Sequence, residues 1–195
     1  MIYSIYINHY PCGIAARTSI VRFLCGLLLV VQSCIFADFT FADMKENRED
    51  KIKAAYLFHF ASFIEWPKGG INATDFNLCV YGMHPVSKHL KKLNNEPVAE
   101  RVLNVINNVT MNEIFKCQII FMGSEQINKF NIMDSSYLNK NSLIVSEGKA
   151  FAENDGMLAF YMLDNKLKIM INKNATDLAG LTISSKLLRL ARIVE

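Results

Sequence analysis

The sequence predicts an α/β fold: a single three-layer domain on a mixed, mostly parallel sheet of about six strands, with a C-terminal β-hairpin and helix. Three observations lead there. Short apolar runs closed by glycine, at 76–82, 117–123 and 142–148, alternate with amphipathic segments, the grammar of a βαβ sheet. The run 117–123, CQIIFMG, is almost continuously apolar, as a strand covered on both faces is. Two further runs, 156–163 and 166–174, flank Asp164-Asn165 and read as a hairpin.

The elements follow in chain order. Residues 1–42 are expected to be a secretory signal peptide, ahead of one domain at 43–195. Arg17 and Arg22 precede an apolar run from Phe23 to Ala37, Thr40-Phe41-Ala42 offers small residues for cleavage near Ala42, and the chain then turns abruptly charged. The apolar run is shorter than the roughly 20 residues a spanning helix needs. A retained anchor, or lipidation at Cys34 in the box Val31-Gln32-Ser33-Cys34, are the alternatives. Export to the periplasm is the expectation.

The mature chain opens with a helix. Ile52, Ala55, Tyr56, His59, Phe60, Phe63 and Trp66 recur at helical spacing, and Leu57, Phe58 and Ile64 widen the stripe, so burial on most sides is expected. Pro67 should stop it. A strand at 76–82 is followed by an amphipathic helix at 86–94 with Val86, Leu90 and Leu93 inward. Residues 101–109 alternate as a strand, and 112–116 make a helical turn. After the strand at 117–123, Ser124-Glu125 opens a helix towards Leu138. A strand at 142–148, a brief helix at 149–155 and the hairpin come next. The tail is expected to be helical from Ser184, which would cap it.

Charge and cysteines narrow the function. The chain has 21 Lys+Arg against 18 Asp+Glu. The leader holds Arg17, Arg22 and Asp38, so its removal leaves 19 against 17, a net of +2. That gives no basic field for nucleic acid. Cleavage leaves only Cys79 and Cys117, and an even count in an exported chain suggests a disulfide. Such a bridge contributes about 4 kcal/mol in the chain-entropy model. Two buried free thiols are the other reading. The pair is not CxxC, which argues against a redox enzyme.

A search for chemistry finds little. No nucleotide-binding glycine loop, metalloprotease pair or serine-nucleophile elbow is present. His84 and His89 stand five apart across Pro85, not at the spacing that aligns two ligands on a helix. His59, among aromatics, reads as a packing residue. Ser184-Ser185-Lys186 loosely suggests a serine–lysine pair, but Ser184 fits a helix cap better. No catalytic residue, metal or cofactor is expected; the chain reads as a binding or regulatory module rather than an enzyme.

Three segments carry a resemblance. The first is Lys53-Ala54-Ala55-Tyr56-Leu57 with Phe60, Phe63 and Glu65-Trp66-Pro67. The second is the strand with Cys79 and Gly82, then Pro85, and the strand starting at Cys117. The third is Phe151, Gly156, Ile171-Asn172 and the run from Ala179 to Ala191 containing Ser184, Ser185, Leu187 and Leu188. In order and spacing they resemble the YfiR family across nearly the whole mature chain. The resemblance implies a periplasmic α/β homodimer that restrains an inner-membrane diguanylate cyclase, lowering cyclic di-GMP and biofilm formation, with an outer-membrane lipoprotein releasing the brake. Tyr56, Phe60, Glu65, Trp66, Pro67, Asn172, Ser184, Ser185, Leu187 and Leu188 would be its structural or interface residues. Some members carry a second cysteine pair near 146–156; this chain has none there. The competing expectation is a periplasmic small-ligand sensor, with a metabolite in the sheet's carboxyl-end crevice and another membrane receptor or histidine kinase as its output.

Overall fold

The computed structural model describes residues 47–67, 75–127 and 141–195. The expected leader and most of the expected helix from Ser124 to Leu138 lie outside these residues.

Helix α1 covers 47–63 and runs directly into the two-residue strand β1 (Ile64–Glu65). β2 (Asp75–Tyr81) leads to the single turn α2 (Ser87–Leu90), a 3-10 turn (Lys91–Leu93), and β3 (Pro97–Val98). β4 (Arg101–Val109), a 3-10 segment (Met111–Lys116) and β5 (Ile119–Met122) follow. Then come β6 (Leu143–Glu147), α3 (Lys149–Glu153), β7 (Leu158–Leu163) and β8 (Lys166–Asn172). The chain ends in α4 (Lys173–Leu178), β9 (Thr182–Ile183), α5 (Ser185–Leu188) and β10 (Ala191–Val194).

Among the described residues the main sheet has eight strands rather than about six, ordered β10-β8-β7-β6-β5-β2-β4-β3. Pairs β4–β2, β2–β5, β5–β6, β6–β7 and β8–β10 are parallel; β7–β8 and β3–β4 are antiparallel. The two extra strands are the short β3 edge and β10. β10 corrects the expected C-terminal helix. Only one turn forms after Ser184; the backbone then pairs with β8, because that edge offers open hydrogen-bonding groups and the next residues, Ile193 and Val194, are β-branched.

Each central strand divides its side chains between two cores. Leu78, Ile119, Phe121, Leu143, Val145, Leu158, Phe160, Ile169 and Ile171 face one core with α1 and α2. Cys79, Ile120, Met122, Ile144, Ala159 and Met170 face the other, under α3 and the Met111–Lys116 segment. This two-face burial explains why the central runs are apolar throughout.

Two expectations about α1 change. Its buried stripe is Ala54, Leu57, Phe60 and Ala61, while Ile52 and Ala55 are exposed. The helix also stops at 63, because Ile64 and Glu65 pair antiparallel with Ile183 and Thr182 of β9. The hairpin turn has Asp164 and Asn165 both at positive φ (49° and 56°), the type I′ geometry that matches the twist of its strands.

Candidate functional site

Strand order reverses at β2. The chain leaves β2 towards β4 on one side and returns at β5 on the other, so the carboxyl ends of β2 and β5 flank the crevice where doubly wound sheets bind ligands. Here the protein fills that crevice with its own side chains. His84, just beyond β2, sits edge-on against Phe121 (centroids 5.0 Å apart) and over Gly123 at the end of β5. A β-carbon on Gly123 would stand 2.9 Å from the His84 ring, so only glycine leaves room for it.

His84 Nδ1 accepts the Val86 N–H at 3.1 Å, which places the neutral ring's proton on Nε2. Nε2 lies 3.4 Å from Glu147 Oε1, at the end of β6. The same oxygen accepts from Lys53 Nζ at 2.5 Å, and Lys53 also meets Glu49 at 2.7 Å and Asp50 at 3.8 Å. Lys53 and Asp50 are buried polar residues on the inner side of α1. Burial opposes charge on Glu147, but hydrogen bonds from His84 and Lys53 outweigh it and hold the carboxyl at about 2. Burial likewise opposes the Lys53 ammonium, and its bonds to Glu147 and Glu49 outweigh that and raise its pKa. The cluster's donors are therefore spent on internal carboxylates. It fastens α1 to the carboxyl ends of the sheet rather than presenting a reactive group.

The depressed Glu147 pKa makes a pH prediction. A carboxyl held below its ordinary 4.5 contributes stability above that value and loses it as pH falls through about 2. The difference is on the order of 3 kcal/mol. In chemical melts from pH 6 down to pH 2, wild type should lose stability more steeply than Glu147→Gln below about pH 4.5. Parallel curves would mean that Glu147 is not the acid-sensitive group.

Cys79 on β2 and Cys117 before β5 form a disulfide, Cα atoms 5.9 Å apart and both sulfurs wholly buried. It faces the core opposite α1.

The remaining candidate residues gather mainly at the β1–β9 pair. Glu65 pairs with Thr182, and the Ser184 N–H donates to the Phe63 carbonyl at 3.0 Å. Trp66 donates to the Ala61 carbonyl (3.2 Å) and packs edge-on against Phe76. Pro67 lies against Gly180, whose φ of +72° needs glycine. Ser184 caps α5 by accepting the Leu187 N–H; Leu187 is buried, Leu188 half-buried and Ser185 exposed. Thus the Glu-Trp-Pro motif and the Ser-Ser motif, from opposite ends of the domain, form one clasp. Phe60 and Tyr56 stack on each other (6.2 Å) and reach Phe160. Asn172 stands apart: it caps α4 and donates to the Ala152 carbonyl at 3.1 Å. His84 and His89 do not converge; His89 meets Asn47 instead. Among the described residues, no cluster of three or more His, Cys, Asp or Glu side chains could hold a metal, and no helix is long and apolar enough to cross a membrane.

The sequence reading missed Glu147 and the roles of Lys53 and His84. A lysine inside the apolar run of α1 was the one available signal.

The frame is thus a doubly wound sheet with an ion cluster of Lys53, Glu147 and His84 at its switch-point crevice. The chain belongs to the YfiR/HmsC-like family, whose model matches residues 50–192. That family is regulatory rather than catalytic and is tied to diguanylate cyclase signalling through a membrane protein. No curated protein matches the chain. Among solved structures it is similar to the ABC domain in complex with L-Trp from Streptococcus pneumonia (15% identity, TM-score 0.42, 62% of this chain). It is also similar to a conserved domain protein from Vibrio cholerae (12% identity, TM-score 0.42, 64% of this chain). The match spans 55% of the length of each of those chains.

Proposed function

We propose that this protein acts in the periplasm, after cleavage of its leader near Ala42, as a non-enzymatic regulator. It binds the periplasmic part of an inner-membrane diguanylate cyclase and inhibits it, so cyclic di-GMP falls. The family match over almost the whole described domain carries this reading. The buried Cys79–Cys117 disulfide supports an oxidising compartment. Inhibition needs only that the protein bind one state of the cyclase better than the other, a shift of population without turnover. A homodimer and an outer-membrane lipoprotein that sequesters it complete the proposed circuit.

The sensor reading is weaker for a physical reason. Its crevice is occupied by His84, Glu147 and Lys53, so a metabolite would have to displace a buried ion pair.

Deleting the gene should raise cellular cyclic di-GMP, and the wild-type allele should restore it. An unchanged level in a strain shown to have exported folded protein before deletion would overturn the cyclase reading.

A further inference from the structure

We propose that the outer edge of the sheet, β10 with the first residues of β8, docks an extended acidic segment of a partner protein. This rests on the regulatory reading and specifies the surface that reading needs.

The observation is a row of cations on one face of an unpaired edge. β7–β8 projects beyond its neighbours as a two-stranded ribbon. β6 pairs only as far as Phe160, and β10 starts only at Ile169. Among the described residues, the backbone of 166–168 has no strand partner on the side where β10 would continue, and β10 has none on its outer side. Lys166 and Lys168 are paired with Leu163 and Tyr161, so all four share one face. Arg192 is in register with Met170, which continues that face two positions further. Lys149 reaches the same place from α3, its ammonium 4.9 Å from the centre of the Tyr161 ring. Among the described residues, none of these four cations has a carboxylate partner. Glu153 and Asp164 are nearby in sequence but pair with none of them.

Cations two residues apart along a strand, beside open backbone groups, match one ligand chemistry. An added strand with acidic side chains at every second position would put its carboxylates on the lysine face and its amides on the open edge. A membrane surface fits less well. The exposed apolar residues of the ribbon, Met162 and Leu163, point to opposite faces, so the ribbon has no single face to insert.

The test uses the full mature chain and defined probes: a peptide of alternating Glu and Val, its Lys-Val counterpart, and phosphatidylglycerol vesicles. The Glu-Val peptide should bind wild type, and its affinity should drop roughly tenfold or more in Lys166→Glu/Lys168→Glu. Lys91→Glu/Lys92→Glu, an equal charge change on a distant exposed turn, should bind as wild type does. Lys166→Gln/Lys168→Gln keeps the measurement usable if the charge reversal unfolds the protein, which thermal melts will show. Equal losses in both reversals, no preference over the Lys-Val peptide, or binding to vesicles alone would each overturn the proposal. In the deletion strain, the Lys166→Glu/Lys168→Glu allele should leave cyclic di-GMP high while Lys91→Glu/Lys92→Glu lowers it. If both alleles lower it, the surface assignment falls and the regulatory reading stands. If deletion itself changes nothing, the regulatory reading falls and the peptide titration still decides the surface.

Discussion

A Lys53→Met variant should unfold about 3–5 kcal/mol more easily than wild type. Lys53 is the cation that Glu49, Asp50 and Glu147 share, and both it and Asp50 are buried. Methionine keeps an unbranched stem at this buried position but removes the charge. The carboxylates are then left close together, with Glu147 retaining only His84. The cost is that of an unpaired buried charge, which exceeds the net worth of the intact pair. Guanidinium unfolding of the single and double variants separates the two quantities. Lys53→Met/Glu147→Leu should recover the Glu147 share of the loss, while the share of Asp50 and Glu49 stays. A single variant within about 0.5 kcal/mol of wild type would show that the cluster is solvated and energetically idle.

The second large effect concerns the disulfide. Cys79→Ser/Cys117→Ser should cost about 4 kcal/mol, because the bridge closes a loop whose ends lie 38 residues apart. Its place in the sheet adds to that: two serine hydroxyls would enter the apolar cluster of Ile120, Met122 and Met170. Both sulfurs are wholly buried, so a reductant acts on the native protein only through opening of the sheet. Dithiothreitol alone should therefore lower the melting temperature slowly, over repeated scans, while the serine variant shows the full drop at once. A serine variant as stable as wild type would remove the disulfide from the list of what holds this sheet together.

Much of the fold was legible because its strands obey simple rules. Residues 119–122 and 143–145 are apolar on both faces since both faces are covered, and Asp164-Asn165 allows the left-handed turn a two-residue hairpin needs. The tail was not legible. Ser184 is a genuine helix cap, and the local pattern after it suits a helix; the pull of an open β8 edge is a tertiary fact that local sequence does not carry. The same holds for α1. Its aromatic residues are so numerous that several stripes look inward, and only the sheet's position selects Ala54, Leu57 and Phe60. The ion cluster was the least visible feature. Lys53 and Glu147 are 94 residues apart, and apart from a lysine beside the apolar run of α1 nothing local points to their pairing. Their meeting is decided by where β2, β5 and β6 end.

The β1–β9 clasp has a consequence in time rather than in energy. Ile64 at the start of the domain pairs with Ile183 near its end. A chain threaded through a pore with its N-terminus leading can form the Cys79–Cys117 loop while later strands are still inside. The clasp can close only after residue 183 has emerged. Contacts this distant in sequence also form slowly. For any chain that emerges N-terminus first, β1 therefore waits unpaired until β9 is out, and a late segment fixes an early one.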